Sequence, residues 1–177
     1  LKELVCYQNY RLTNLNVSNN TILTTLNCGQ TALTSLDVSK NTALTNLWCY
    51  NSQLTSIDVS KNTLLTDFAC SSNKLTSLDV SKNTLLTVLN CYHNQITSLD
   101  VSKNVLLTHL VCSENQLTSL DLTKNTALKL LSNYGNYINV CYRTHVQDLG
   151  WQATVKDGAS SGTSGQGKRL EGIEIYI

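Results

Sequence analysis

Cysteines recur along this 177-residue chain at a spacing that invites a metal or redox interpretation. Five of them lie 21 residues apart, and an earlier one fits the same row with one extra residue: Cys6, Cys28, Cys49, Cys70, Cys91 and Cys112. Zinc sites need ligands that converge on one point, as in CxxC pairs, and the sequence has no CxxC, CxxH or HxxxH pattern. Because a free cysteine otherwise behaves as a small buried hydrophobe, we predict a structural column of thiols and no metal site.

Carboxylates form a second row with the same period. Its members are Asp37, Asp58, Asp79, Asp100 and Asp121, and a lysine follows each of them three residues later. A line of carboxylates could collect calcium, but two neighbouring rows of opposite charge neutralise each other on a solvated face. We favour mutual neutralisation, with calcium as the alternative.

A third motif resembles a phosphate-binding loop. Residues 162–169 read GTSGQGKR, which has the G-x4-GK spacing, but Arg169 stands where a Mg²⁺-binding serine or threonine is needed. No strand-to-helix pattern surrounds it, and no nucleophile with a neighbouring base stands out elsewhere. We therefore predict no nucleotide site, no cofactor, no catalytic residue and no enzyme.

The composition restricts the partners. The net charge is +1 and charged residues make up only 14% of the chain, so no global field favours a nucleic acid. No apolar run reaches the roughly 18–20 residues of a membrane span. Apolar residues make up 41%, which is enough for a sizeable core.

A 21-residue repeat accounts for the spacing of the cysteine and aspartate rows. One unit, starting at Leu44, reads LTNLWCYNSQLTSIDVSKNTL, and six units followed by a degenerate seventh occupy the chain to about Ile138. Stacked repeats bury their apolar columns against their neighbours. We predict strands that include the DVSK segment, an asparagine row at the corner that follows it (Asn41 and its equivalents), and six inward columns: those of Leu44, Leu47, Cys49, Leu54, Ile57 and Val59.

The skeleton LxxLxCxx(N/S)xLxxLDVSxNxx resembles the leucine-rich-repeat family, and within it the 21-residue class with two nested halves, one of them often carrying Cys. The resemblance implies a repeat solenoid, mainly β, wound as a right-handed coil over residues 1–139.

Outward positions beside the cysteines vary, whereas the DVSKN half hardly changes from unit to unit. Variation on a fixed scaffold is what recognition uses, and exposed Trp and Tyr are favoured as interface anchors. Neutral drift at solvated positions is the competing interpretation. We predict a binding surface, called the recognition strip, around Tyr7, Trp48, Tyr50, Tyr92, His93, His109 and Tyr134.

The period ends near Asn139, and residues 140–177 are richer in glycine. Alternation around 140–146 and 170–177 predicts short strands on either side of a Gly-Ser-rich loop. The segment is similar to the ChW module, the clostridial hydrophobic repeat with a characteristic tryptophan. The matching positions are Tyr142, His145, Gly150, Trp151, Gly158, Gly162, Gly165, Arg169 and Glu171.

The ChW resemblance implies a secreted or cell-surface protein of an anaerobic Gram-positive bacterium, where reduced thiols persist outside the cell. ChW modules usually occur in tandem, whereas one is present here, so we expect a small all-β module that caps or tethers the solenoid. The first coil has no visible polar cap, which a truncated end or an end-to-end dimer would each explain.

These observations favour a non-enzymatic, adhesin-like recognition protein that binds a protein ligand along the recognition strip. Two alternatives remain: a carbohydrate-binding module for wall or plant polysaccharide, and a structural spacer in a longer modular protein.

Overall fold

The computed structural model describes residues 1–138 in full and, beyond them, the backbone of 141–146, 150–151, 155–156 and 170–176. Seven three-residue strands, one per coil, pair in parallel and in chain order to form one sheet, with no helix in the described residues. They are β1 (Glu3–Val5), β2 (Thr25–Asn27), β3 (Asn46–Trp48), β4 (Asp67–Ala69), β5 (Val88–Asn90), β6 (His109–Val111) and β7 (Leu130–Ser132).

Each strand points its middle residue inward and the residues on either side outward. In β3, Leu47 is fully buried while Asn46 and Trp48 are partly exposed. The register is one coil per strand, so Leu47 pairs with Leu26 on one side and Phe68 on the other. The predicted coil with stacked apolar columns is therefore confirmed.

The core is a set of one-dimensional stacks. Leu44, Leu47, Leu54 and Val59 have no measurable exposure, and their equivalents in the neighbouring coils are buried as well. The predicted column of Ile57 is the least buried: Ile57 itself is half-buried, and Leu36 keeps 8% exposure.

The DVSK segment is a turn and not a strand, which corrects the sequence prediction. Ile57 and Val59, two residues apart, mimic the alternation of a strand, but Asp58 and Asn62 close the backbone into a turn instead. The Asp58 carboxylate accepts the Ser60 N–H at 2.8 Å, and the Asn62 N–H donates to the Val59 carbonyl at 3.0 Å.

Buried asparagines join consecutive coils at this corner, as predicted. The Asn62 side-chain amide donates to the carbonyls of Val38 (3.0 Å) and Asn41 (2.9 Å) in the preceding coil. The same pair of bonds recurs in the equivalent residues, which together form the asparagine ladder: Asn41, Asn62, Asn83, Asn104 and Asn125. Their amide oxygens have no partner within the described part of the chain, so the two N–H donors carry the stabilisation.

The aspartate row stabilises the same turns. The pKa of Asp37 lies below its ordinary value because the Ser39 backbone N–H and then the Ser39 hydroxyl hydrogen-bond the carboxylate, while Lys40 contributes less. Residues 1–138 contain no Asp–Lys pair within 4.0 Å. Turn formation is therefore the main role of these carboxylates, and the predicted neutralisation by lysine is a minor effect.

Two residues after each of the six cysteines of the solenoid, the backbone enters the left-handed region. Six non-glycine residues have φ between 50° and 62°: Gln8, Gln30, Asn51, Ser72, His93 and Glu114. Gly135 takes the equivalent position in the seventh coil, with φ 67°. Left-handed backbone costs a residue with a Cβ about 1–2 kcal/mol. The non-glycine positions therefore carry strain that glycine would relieve, least of all at Asn51, because asparagine tolerates this region better.

We expect Ser72→Gly to raise the free energy of unfolding by about 0.5–1 kcal/mol, because the relief of strain exceeds the added entropy of the unfolded chain. Urea unfolding followed by circular dichroism measures the change. Ser71→Gly is the matched control, since Ser71 has ordinary backbone, and it should destabilise. Stabilisation by both substitutions would contradict the strain argument.

The chain divides into two compact units, Leu1–Asn136 and Tyr137–Ile177. In the second unit, β8 (Cys141–Val146) pairs antiparallel with β9 (Gly150–Trp151), β10 (Val155–Lys156) and β11 (Leu170–Tyr176). The short strands predicted around 140–146 and 170–177 are thus present, as β8 and β11.

Candidate recognition surface

The recognition strip lies on the outward positions of the parallel sheet and on the two residues that follow each cysteine. Tyr7, Tyr50, Tyr92 and Tyr134 stand on alternate coils, separated by the small residues Gly29, Ser71 and Ser113. Coils repeat at about 4.8 Å, so successive tyrosines are roughly 10 Å apart along the sheet. Of the predicted residues, Tyr7, His93, His109 and Tyr134 are exposed, and Trp48, Tyr50 and Tyr92 are partly exposed.

On the third coil, Trp48 and Tyr50 are held in place by neighbouring coils. The Trp48 indole N–H donates to the Asp67 carboxylate at 3.0 Å. Tyr50 leans over Gly29, where an added Cβ would lie 2.8 Å from its Cε1 and Cζ atoms. Neighbouring coils therefore restrict both rings, and such restriction lowers the entropic cost when a side chain takes part in binding.

On coils five to seven, the structure brings Tyr92, His93 and Tyr134 together around Glu114. His93 Nδ1 lies 2.8 Å from Glu114 Oε2, and the rings of Tyr92 and His93 are 5.7 Å apart. The nearby carboxylate of Glu114 and the phenol of Tyr134 raise the pKa of Tyr92. The Asn90 amide oxygen, which accepts the Tyr92 N–H at 3.1 Å, braces the backbone here.

The remaining two predicted residues stand apart from these groups. Tyr7 lies on the first coil and is 44% exposed. His109 opens β6 between Val88 and Leu130, and its Nδ1 atom is 2.9 Å from the Thr108 hydroxyl. The structure therefore divides the predicted residues into a Trp48–Tyr50 group, a Tyr92–His93–Tyr134 group and two isolated positions.

Sequence reasoning missed Asp67 and Glu114 as members of the strip. Asp67 is one coil beyond Trp48 and pairs with it across 19 residues, and Glu114 is one coil beyond His93, across 21 residues. A signal was present for Glu114, because a carboxylate one period after a histidine on an outward row lies beside it in a solenoid. Asp67 is offset by two residues from that position, so it contacts Trp48 diagonally across neighbouring strands. Variation along a single row does not reveal such complementary neighbours in adjacent coils.

The cysteine column is buried, as predicted. Cys28, Cys49, Cys70, Cys91 and Cys112 are at most 1% exposed. Burial raises the pKa of the Cys112 thiol to about 11 and that of Cys28 to about 12, so these thiols stay protonated and unreactive. Among the described residues, no group of three or more His, Cys, Asp or Glu side chains could hold a metal ion. Open grooves along the turn face are lined by serines and aspartates, such as Ser77, Asp79 and Ser98.

Five of the nine predicted ChW positions lie in described strands, and four do not. Tyr142, His145, Gly150, Trp151 and Glu171 lie in strands whose backbone alone is described. The other four lie outside the described residues: Gly158, Gly162, Gly165 and Arg169.

A family model of the clostridial hydrophobic W type matches residues 145–177. A comparison with curated proteins finds no match. Within the described residues there is no helix of the length and apolarity that a membrane span requires.

Solved structures of solenoid proteins superpose on this chain. The functional domain of InlJ from Listeria monocytogenes, which includes a cysteine ladder, is 41% identical with a TM-score of 0.64, and the match covers 78% of this chain and 35% of that one. An internalin (inlF) from Listeria monocytogenes is 27% identical with a TM-score of 0.70, and the match covers 78% of this chain and 42% of that one. A leucine-rich-repeat protein from Leptospira interrogans is 22% identical with a TM-score of 0.64, and the match covers 68% of this chain and 33% of that one. The chain thus spans about a third to two fifths of the length of these structures.

Proposed function

We propose that this chain, a leucine-rich-repeat solenoid followed by a segment that matches the clostridial hydrophobic W family, is a non-enzymatic recognition protein. It acts at a bacterial surface or after secretion, similar in plan to leucine-rich-repeat adhesins, and binds a protein ligand along the recognition strip. Its likeness to internalin structures supports this proposal.

The observation that carries the proposal is the contrast between the two halves of each coil. The turn half repeats the same side-chain to backbone hydrogen bond in the first six coils. The strand half instead presents Asp67, Val88 and His109 at equivalent outward positions. Four of the seven residues of the recognition strip are tyrosines and one is Trp48, and Tyr and Trp are the rigid anchors that antibody binding surfaces favour. Aromatic anchors already held by neighbours, such as Trp48, are the usual centres of binding energy.

We expect Trp48→Ala to weaken binding of the protein ligand by at least about tenfold, because an aromatic anchor covered by a ligand contributes on the order of 2 kcal/mol. The measurement is capture of surface proteins on immobilised wild-type and variant chains, followed by titration of the captured protein. Lys61→Ala, an exposed position on the turn half, is the control and should leave binding unchanged. Equal binding by the wild type and Trp48→Ala would contradict the proposal.

A polysaccharide ligand is the second candidate, and the position of the Tyr50 ring favours it. A Cβ built at Gly29 would meet three consecutive atoms of the Tyr50 ring at 2.8–2.9 Å, so the ring packs closely against Gly29 while the residue stays partly exposed. An aromatic face held in this way suits stacking on a sugar ring. A glycan array with the wild type, Trp48→Ala and Tyr92→Ala separates the two candidates. If neither assay gives a signal that these substitutions weaken, the chain is a structural spacer.

A further inference from the structure

Glu114 occupies an unusual place on the recognition strip. It lies on the sixth coil, between Tyr92 and His93 of the fifth and Tyr134 of the seventh. His93 Nδ1 contacts one carboxylate oxygen at 2.8 Å, and Tyr92 lies against His93 with a ring separation of 5.7 Å. In the next coil the Tyr134 carbonyl accepts the Glu114 N–H at 2.8 Å, so two tyrosines and one carboxylate lie together within three coils.

The glycine of the seventh coil keeps this carboxylate open. In the preceding coils a side chain projects from the left-handed position, but here the residue is Gly135. A Cβ at Gly135 would lie 3.1 Å from Glu114 Cγ and 3.3 Å from its Cα. Because that side chain is absent, Glu114 keeps 40% of its side-chain surface exposed beside Tyr134, which is 61% exposed.

The negative charge of Glu114 is neutralised by a neighbouring side chain only when that side chain is protonated. Within residues 1–138 its one ion-pair partner is His93, which is charged only when protonated and is 63% exposed. The other carboxylate of the strip close to an aromatic, Asp67, already accepts the Trp48 indole N–H. Glu114 is thus the carboxylate of the strip that faces solvent next to aromatic rings.

From this arrangement we propose that Glu114, with Tyr92 and Tyr134 beside it, receives an arginine side chain of the ligand. This inference rests on the proposed function, since it names the chemistry that the strip recognises at its C-terminal coils. A guanidinium group is planar, so it stacks on a phenol ring while its N–H fork bonds a carboxylate. The cation also gains from the π-face of tyrosine. A lysine ammonium supplies the charge but not the planar stacking.

The test uses the full chain and two small probes of the same shape, N-acetyl-arginine amide and the uncharged N-acetyl-citrulline amide. We expect the arginine probe to shift the aromatic NMR signals of Tyr92 and Tyr134 saturably, and the citrulline probe to leave them unchanged. Glu114→Gln should weaken the arginine effect at least about tenfold, because the charge-assisted hydrogen bonds are lost. Glu3→Gln, at an exposed carboxylate of β1, should not.

An equal response to both probes, or a response that survives Glu114→Gln, would overturn the inference. Thermal unfolding of Glu114→Gln checks that the variant remains folded, and a role limited to stability would lower its Tm without reducing the response to the arginine probe in the folded protein. If capture of a protein ligand depends on Trp48 while the arginine probe has no effect, this inference fails and the proposed function stands. If no ligand depends on Trp48, the proposed function fails whatever the probes do.

Discussion

Replacing Asn83 with alanine is expected to lower the free energy of unfolding by about 3 kcal/mol. Asn83 is fully buried, and its amide donates to the carbonyls of Val59 at 3.0 Å and Asn62 at 2.8 Å. Both carbonyls keep one backbone donor, the Asn62 N–H for Val59 and the Leu65 N–H for Asn62, so each lost hydrogen bond costs about 0.5–1.5 kcal/mol. The truncated side chain leaves a small cavity, which adds to the loss. Urea unfolding monitored by circular dichroism gives the change.

Two further variants make this expectation specific. Thr84→Ala, at the exposed neighbouring position, should change stability by no more than about 0.5 kcal/mol. Asn83→Asp has nearly the same shape but places oxygens where two N–H donors are needed, so at neutral pH it should destabilise more than alanine does. A loss for Asn83→Ala no larger than that for Thr84→Ala would contradict the role of the asparagine ladder.

The buried cysteines should react with a thiol label much more slowly than Cys6 does. Cys70 has no measurable exposure, and burial raises its pKa well above the ordinary value. It can react only when the coil opens, which slows labelling by about a thousandfold or more if opening costs roughly 4 kcal/mol. Cys6 is only partly buried and should react much faster.

Mass spectrometry of peptides from the native protein, after timed exposure to a maleimide, measures each rate separately. Adding denaturant should make the rates of Cys6 and Cys70 converge, because exposure then no longer differs. Rapid labelling of Cys49 and Cys70 in the native protein would show that the column is not buried.

The solenoid could be predicted from the sequence because its cause is local and repeated. Leu44, Leu47 and Cys49 keep their spacing in unit after unit, and only a coil stacked on its neighbours buries all three columns. The turn at Asp58 could not be predicted in this way. Ile57 and Val59 have the two-residue alternation of a strand, and the hydrogen bond from Ser60 to Asp58 that makes it a turn leaves no mark in the hydrophobic pattern.

The recognition strip was predictable as a set of positions but not as groups in contact. Variation identified Tyr92 and His93, and the period placed them near Tyr134. What joins them is Glu114, whose direction is set by its left-handed backbone and by the missing side chain of Gly135. Side-chain direction at such positions depends on backbone geometry, which residue spacing alone does not contain.

The asparagine ladder also bears on how such a gene can change. Every internal coil offers the next one the same two carbonyls and receives the same two amide donors. An in-frame duplication or deletion of one repeat would therefore restore the junction at once, with no compensating substitution. The variable outward rows would be lengthened, shortened or reshuffled in a single genetic event, so recombination between repeats can change the exposed surface while the scaffold is inherited intact.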